Sequence, residues 1–317
     1  MNEIYVKRIT NEVKGLAVSK YGKNTNVEVQ AILKDNGVQR TGITIREEGS
    51  NICPTIYLET LPIEDGESVF EIAEKVMAIY EKNRCCSQFD MSWFNEYENV
   101  RNNLTLKLVN KEKNAAKLDG LVWTTIAEDM AAYAVVKLSD EMIGGNAGIA
   151  VPNDELQIWN VSKEQVLADA MENLDEQIRF FSMEQMMPPE LLMMYGVKRK
   201  NTEGATIEEQ IEAATTTSAF SPFPMVVVTN KDQCFGASAI LSKKILILAQ
   251  KIGTDLYILP SSKHECIVLP DLGDEMNLEE LKGMVGIVNQ EEVREEDFLS
   301  NSVYKYSLET GNLQKVA

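Results

Sequence analysis

The longest uninterrupted apolar run in this chain is Met130 to Val136, only seven residues. A membrane-spanning helix needs about 18 or more, so none is expected, and the core must be assembled from short elements with one apolar face each. At 317 residues, and with about 150 residues per typical domain, two domains are expected. The opening Met1-Asn2-Glu3-Ile4 has no basic segment followed by an apolar one, so no secretory signal is expected.

The first hundred residues carry regular patterns. Val6, Ile9, Val13 and Leu16 form a helical stripe that should stop near Gly22. Val27 to Ala31 alternates as a half-buried strand does. Asp35-Asn36-Gly37 then predicts a hairpin, because Asn and Gly tolerate the positive φ of a type I′ turn. The return strand covers about Val38 to Arg46, and a third strand Thr55 to Glu59, with Pro54 at its start. Ser68 and Glu71 make a capping box for a helix whose apolar face is Val69, Ile72, Ala73, Val76, Met77 and Tyr80. This order predicts an α+β domain over residues 1–100, a small antiparallel sheet with helices on one face.

A second, larger α+β domain is expected over 101–317. Leu104 to Val109, Val122 to Ile126 and Met130 to Leu138 read as strands, and Gly144 to Gly148 as a tight turn. Ser162 and Gln165 predict a capped helix, with Val161 and Val166 as its staple and a stripe from Leu167 through Ala170, Met171, Leu174 and Ile178 to Phe181. Residues 183–223 read as a mobile Met-rich excursion with a short helix near Ile207 to Ala214. Clustered methionines can make adaptable contact surfaces, so Met186, Met187, Met193 and Met194 are candidate binding residues. Met225 to Thr229 and Cys234 to Ser238 predict a hairpin, Ala239 to Ile252 a helix capped by Gly253. Strands follow at Leu256 to Leu259 and Cys266 to Leu269, then a helix capped by Asn277 and a final strand at Val303 to Tyr306.

Charge narrows the partners. The formal net charge is −18, and Asp271 to Asp297 alone carries ten carboxylates against Lys282 and Arg294. Such a surface repels phosphate backbones, and the densest basic stretch is merely Lys198-Arg199-Lys200. Direct nucleic-acid binding is therefore not expected. Asp271, Asp274 and Glu275 are candidates for steering a basic partner rather than for metal binding, since they match no calcium loop. The five cysteines, Cys53, Cys85, Cys86, Cys234 and Cys266, show no Cys-x-x-Cys spacing. They read as reduced thiols in a cytoplasm.

One residue bears most of any enzymatic case. His264 is the only histidine, so a multi-histidine zinc site and a His-Glu-x-x-His helix are both excluded. Any nucleophile–histidine pair must use it. Ser261 or Ser262 would be the nucleophile or a substrate contact, and Glu265 would orient the imidazole. Neither a phosphate loop nor a complete nucleophile elbow occurs, so neither a cofactor nor a metal is expected. The competing expectation is that His264 opens a strand and braces a turn.

Asn36-Gly37 followed by Thr41-Gly42-Ile43, and the run Asn51 to Glu59, resemble an uncharacterised bacterial family from Gram-positive anaerobes. So do Val228-Thr229-Asn230, Phe235-Gly236-Ala237 and, above all, Tyr257-Ile258-Leu259-Pro260-Ser261-Ser262-Lys263-His264-Glu265. The resemblance spans about Asn36 to Tyr306 and implies a lineage, a domain of unknown function, without implying an activity. Where the family pattern has a Pro-His pair, this chain reads Leu121-Val122-Trp123. The expectation from all of this is a cytoplasmic, non-enzymatic interaction or regulatory protein with a protein partner, an accessory protein of mobile DNA being one form of it. The alternative is a hydrolase or transferase using His264 as general base.

Overall fold

The computed structural model describes residues 2–84, 90–138, 147–198, 201–216, 221–260, 262–273 and 277–317. Its fold is α+β, and the chain separates into two compact units, Met1–Trp93 with Leu138–Ala147, and Phe94–Lys137 with Gly148–Ala317. No described helix is long and apolar enough to cross a membrane.

In the first unit, α1 (Glu3–Tyr21) starts where the Asn2 side chain accepts the Tyr5 N–H, and stops at Gly22, whose φ of 102° suits glycine. Strands β1 (Asn26–Leu33), β2 (Gln39–Arg46) and β3 (Thr55–Tyr57) form an antiparallel sheet in that order. Asn36 and Gly37 both hold positive φ in the β1–β2 turn, as a type I′ turn requires. Helix α2 (Val69–Asn83) carries the complete Ser68–Glu71 capping box. One face of the sheet, Val27, Ile43, Ile45 and Ile56, closes on Val6, Ile9 and Val13 of α1 and on Ile72, Val76 and Tyr80 of α2.

The second unit holds two antiparallel sheets. In one, β6 (Met130–Leu138) lies between β4 (Leu104–Asn110) and β5 (Trp123–Thr125), and β7 (Ala147–Ala150) also pairs with β6. The other comprises β8 (Ile178–Ser182), β9 (Val226–Asn230), β10 (Leu256–Leu259), β11 (Cys266–Pro270), β12 (Tyr304–Tyr306) and β13 (Leu313–Lys315). Its order is β13-β12-β10-β11-β9-β8. Among the described residues, the helices of eight or more residues that accompany them are α3 (Lys163–Gln177), α4 (Ile207–Ala214), α5 (Ile245–Ile252) and α6 (Leu278–Glu291). Leu281 and Val285 of α6 pack on Tyr257, Leu259 and Leu269 of the larger sheet.

Several expectations need correction. The α3 stripe does not continue to Phe181, because from Ile178 the chain is strand β8, with Ile178, Phe180 and Ser182 buried and Arg179 and Phe181 half-buried. A period of two won over a period of 3.6 once β9 was available as a partner. Ser162 caps α3, but Gln165 hydrogen-bonds Asp169 rather than completing a box. Segment 234–238 is no strand: Gly236–Leu241 is a 3₁₀ turn, and β9 pairs with β8 and β11 instead. The following α-helix is confined to Ile245–Ile252, with Gly253 in the left-handed region after it. The excursion contains short helices at Met183–Met186 and Pro189–Met194, and α4 begins with a Thr206–Glu209 capping box. The turn expected over Gly144 to Gly148 lies outside the described residues up to Asn146, and Gly148 is in β7. Leu121-Val122-Trp123 enters β5, where the fully buried Val122 donates its N–H to the Val151 carbonyl.

Candidate functional site

His264 lies between β10 and β11, and three neighbouring segments fix it there. Asn230, at the end of β9, closes the first: its side-chain amide donates to the Cys234 carbonyl at 2.8 Å and its oxygen accepts the Cys234 N–H at 3.2 Å. That clamp bends the chain sharply, with Gln233 and Phe235 both in the left-handed region at φ 50° and 54°. Non-glycine residues seldom adopt it. The bend aims the Phe235 N–H at His264 Nδ1, 3.2 Å away, and stacks the two rings at 5.4 Å between centroids.

The second segment is β9 itself. The Thr229 hydroxyl donates to the His264 carbonyl at 2.7 Å, and the Ala237 N–H donates to the Lys263 carbonyl at 3.2 Å. Gly236 sits in the crossing, fully enclosed. The third is Glu295–Asp297. Buried Lys263 gives its ammonium to the Glu296 carbonyl at 2.8 Å and to Asp297 Oδ1 at 2.9 Å, and the same Asp297 oxygen stands 3.4 Å from His264 Nε2. A charge this buried is tolerated because it is paired and hydrogen-bonded.

The imidazole feels opposing influences. Asp297, and then the Cys234 side chain, raise its pKa from 6.5 to about 9, against the burial that lowers it. The Phe235 N–H also opposes protonation, since it needs the lone pair of Nδ1. With Nδ1 accepting, the ring proton belongs on Nε2, directed at Asp297. Protonation trades the neutral Phe235 bond for a charge-assisted pair, the stronger of the two. A folded-state pKa above the ordinary value makes the pair's contribution fully present below about 6.5, and it shrinks as pH rises through about 9. Burial works to raise the Asp297 pKa, but hydrogen bonds from His264 and Lys263 hold it well below the usual carboxylate range.

Among the described residues, these contacts bring no serine hydroxyl to the imidazole. Ser262 and Glu265 share the turn with His264, but the Ser262 hydroxyl donates to Glu265 Oε1 at 2.9 Å and accepts the His264 backbone N–H at 3.0 Å. Glu265 therefore orients the serine, and Asp297 is the carboxylate on the imidazole. Ser261 lies outside the described residues. Sequence reasoning missed Asn230, Cys234, Phe235 and Asp297 as neighbours of His264. A signal existed for part of this. Val228-Thr229-Asn230, Phe235-Gly236-Ala237 and Tyr257 to Glu265, separate along the chain, meet at this one place.

A profile for a family of unknown function, DUF5688, matches residues 3–308. The chain belongs to DUF5688. No curated protein and no solved structure matches it.

The other candidate residues of this DUF5688 chain are dispersed. Met193 and Met194 project outward, 81% and 80% exposed, followed by Tyr195 at 60%, whereas Met186 and Met187 are half-buried. Asp271 is committed internally, accepting Lys305 at 2.7 Å and the Gly273 N–H at 2.9 Å. Asp274 and Glu275 lie outside the described residues, as do Cys85 and Cys86. Cys53, Cys234 and Cys266 are free thiols, and burial pushes the Cys266 pKa up. Among the described residues no group of three or more His, Cys, Asp or Glu side chains is placed to hold a metal ion. A groove of about 1000 Å³ runs between Arg179, Lys231, Gln233 and the 201–205 loop. Two of its amides are already engaged: Gln185 bonds Thr202, and Gln210 bonds Ala205 and the Phe180 N–H.

Proposed function

We propose that this protein works by binding a protein partner, as a cytoplasmic interaction or regulatory protein, and not by turning over a substrate. The observation that carries the reading is the step Met193-Met194-Tyr195, three large side chains 60–81% exposed in succession. The helix that presents them, Pro189–Met194, is anchored by buried Leu192 and started by a proline in its first turn. Large apolar side chains grouped in the open on a water-facing protein suit a contact site, and methionine adapts to irregular partners. The free thiols and the net charge of −18 support a reducing, aqueous compartment and disfavour nucleic acid as the partner. Carriage on mobile DNA, as an accessory protein, remains part of the proposal.

The test is affinity capture from the native host with mass spectrometry, using the wild type and a Met193→Ser/Met194→Ser variant. A reproducible partner should bind the variant at least about tenfold more weakly, since two methionine side chains lose their apolar burial. Capture of no reproducible partner, together with turnover of a small molecule by the pure protein, would overturn the reading.

A second reading is favoured by one influence on His264: the Cys234 side chain, after Asp297, raises the pKa of the imidazole. Thiol, imidazole and carboxylate are the parts of a cysteine nucleophile with its base and orienting acid. In a hydrolase or transferase of this kind Cys234 takes the place first given to Ser261 or Ser262. It requires Nδ1 to release the Phe235 N–H before accepting a proton, and His264→Ala would then abolish turnover.

A further inference from the structure

Helix α6 has two apolar faces, and only one is used. Leu281, Val285 and Asn289 turn inward; Asn289 is buried and donates to the Ser300 carbonyl at 2.7 Å. On the outward side Met284 is 51% exposed, Ile287 58% and Val288 38%. Glu280, Met284, Ile287 and Glu291 follow steps of four, three and four residues, so they share one seam along the helix. Its centre is apolar and each end carries an exposed carboxylate. Gly283 flanks the seam with open space where a Cβ would stand, so another backbone can approach closely.

We propose that this seam docks a basic amphipathic helix of a partner protein, apolar at its centre and with lysine or arginine toward both ends. The proposal rests on the protein-binding reading above and names the chemistry of the partner. Charge decides the occupant. In a dimer of this chain, parallel pairing sets Glu280 against Glu280 and Glu291 against Glu291, and antiparallel pairing sets Glu280 against Glu291. Like charges meet either way, which is destabilising. An anionic lipid surface meets the same repulsion. A helix with cationic ends satisfies both carboxylates while its apolar centre covers Met284 and Ile287, the helix-in-groove mode of recognition.

The experiment uses the full chain and a labelled Leu/Lys peptide of about 18 residues, long enough to hold a helix, with leucine on one face and lysine toward both ends. A scrambled peptide of identical composition and charge is the control. Fluorescence anisotropy should give at least about tenfold tighter binding of the patterned peptide. Met284→Ser/Ile287→Ser should remove that preference with no change in melting temperature, as both side chains are more than half exposed. Glu280→Gln/Glu291→Gln should weaken binding and reduce its salt dependence. Equal binding of both peptides, an unaltered preference in the Ser variant, self-association lost in that variant, or stronger binding to phosphatidylserine vesicles would each overturn the proposal. A host partner that needs Met193 and Met194 but ignores the α6 variant would overturn it too, while leaving the protein-binding reading intact.

Discussion

Gly236→Ala is expected to lower the melting temperature by roughly 6–12 °C, corresponding to about 3 kcal/mol or more. The added Cβ would lie 2.2 Å from Thr229 Oγ1, 2.5 Å from the Asn230 nitrogen and 2.7 Å from the His264 carbonyl oxygen. Two of those atoms are backbone, one at the end of β9 and one in the turn before β11, so neither can swing aside. The strands must separate, and the Thr229–His264 hydrogen bond breaks with them. Gly283→Ala is the control. Gly283 lies within α6 with nothing within 4 Å of the new Cβ, so the same methyl should stabilise by about 0.5–1 kcal/mol through helix propensity. Differential scanning calorimetry reads both. A Gly236→Ala protein that melts with the wild type would mean that the β9–β11 crossing is looser than described.

Asp129→Ala is expected to cost about 3 kcal/mol. This carboxylate collects three hydroxyls: Ser300 at 2.7 Å, Ser302 at 3.0 Å and Tyr304 at 2.5 Å. Tyr304 is fully buried and Ser300 nearly so. Hydrogen bonds to a charged acceptor are each worth about 1.5–3 kcal/mol, and a buried donor left unpaired costs about 1–3 kcal/mol. The mutual Tyr304–Ser300 bond at 2.9 Å offsets part of the loss, which keeps the expected total near 3 rather than higher. Burial works to raise the Asp129 pKa, but the Tyr304, Ser300 and Ser302 bonds lower it overall. The contribution is therefore present at neutral pH and is lost as pH falls through the folded-state value. Urea unfolding of wild type and variant at neutral and acid pH checks this. A difference that persists unchanged in acid would contradict it.

How much was legible along the chain depended on whether the signal was local. The Asn36-Gly37 turn, the Ser68 cap and the stripes of α1 and α2 rest on contacts within one or two turns of backbone, and these are readable in the sequence. Ile178 to Ser182 satisfied both a helical and a strand pattern, and only its partner β9 decided between them. Cys234 to Ser238 alternates like a strand, yet Asn230 ties the backbone of Cys234 into a bend that no periodicity reports. Around His264 the residues adjacent in sequence, Ser262 and Glu265, satisfy one another. Those that engage the imidazole, Phe235 and Asp297, come from distant segments. Spacing along a chain cannot rank such neighbours, because the strand register that brings them together is set elsewhere.

If the only histidine braces the fold while the protein acts by binding, His264→Ala should cost stability and spare partner capture. Thermal unfolding of wild type and variant would be compared at about pH 6 and about pH 10, on either side of the folded-state titration, with partner capture repeated on the folded variant. The variant should be less stable by about 2–3 kcal/mol at the lower pH, where a charge-assisted pair with Asp297 is lost. At the higher pH the deficit should fall to about 1 kcal/mol, the worth of the neutral Phe235 bond. Partner capture should be nearly unchanged. Equal stability at both pH values together with lost biological activity would instead place His264 in a catalytic site.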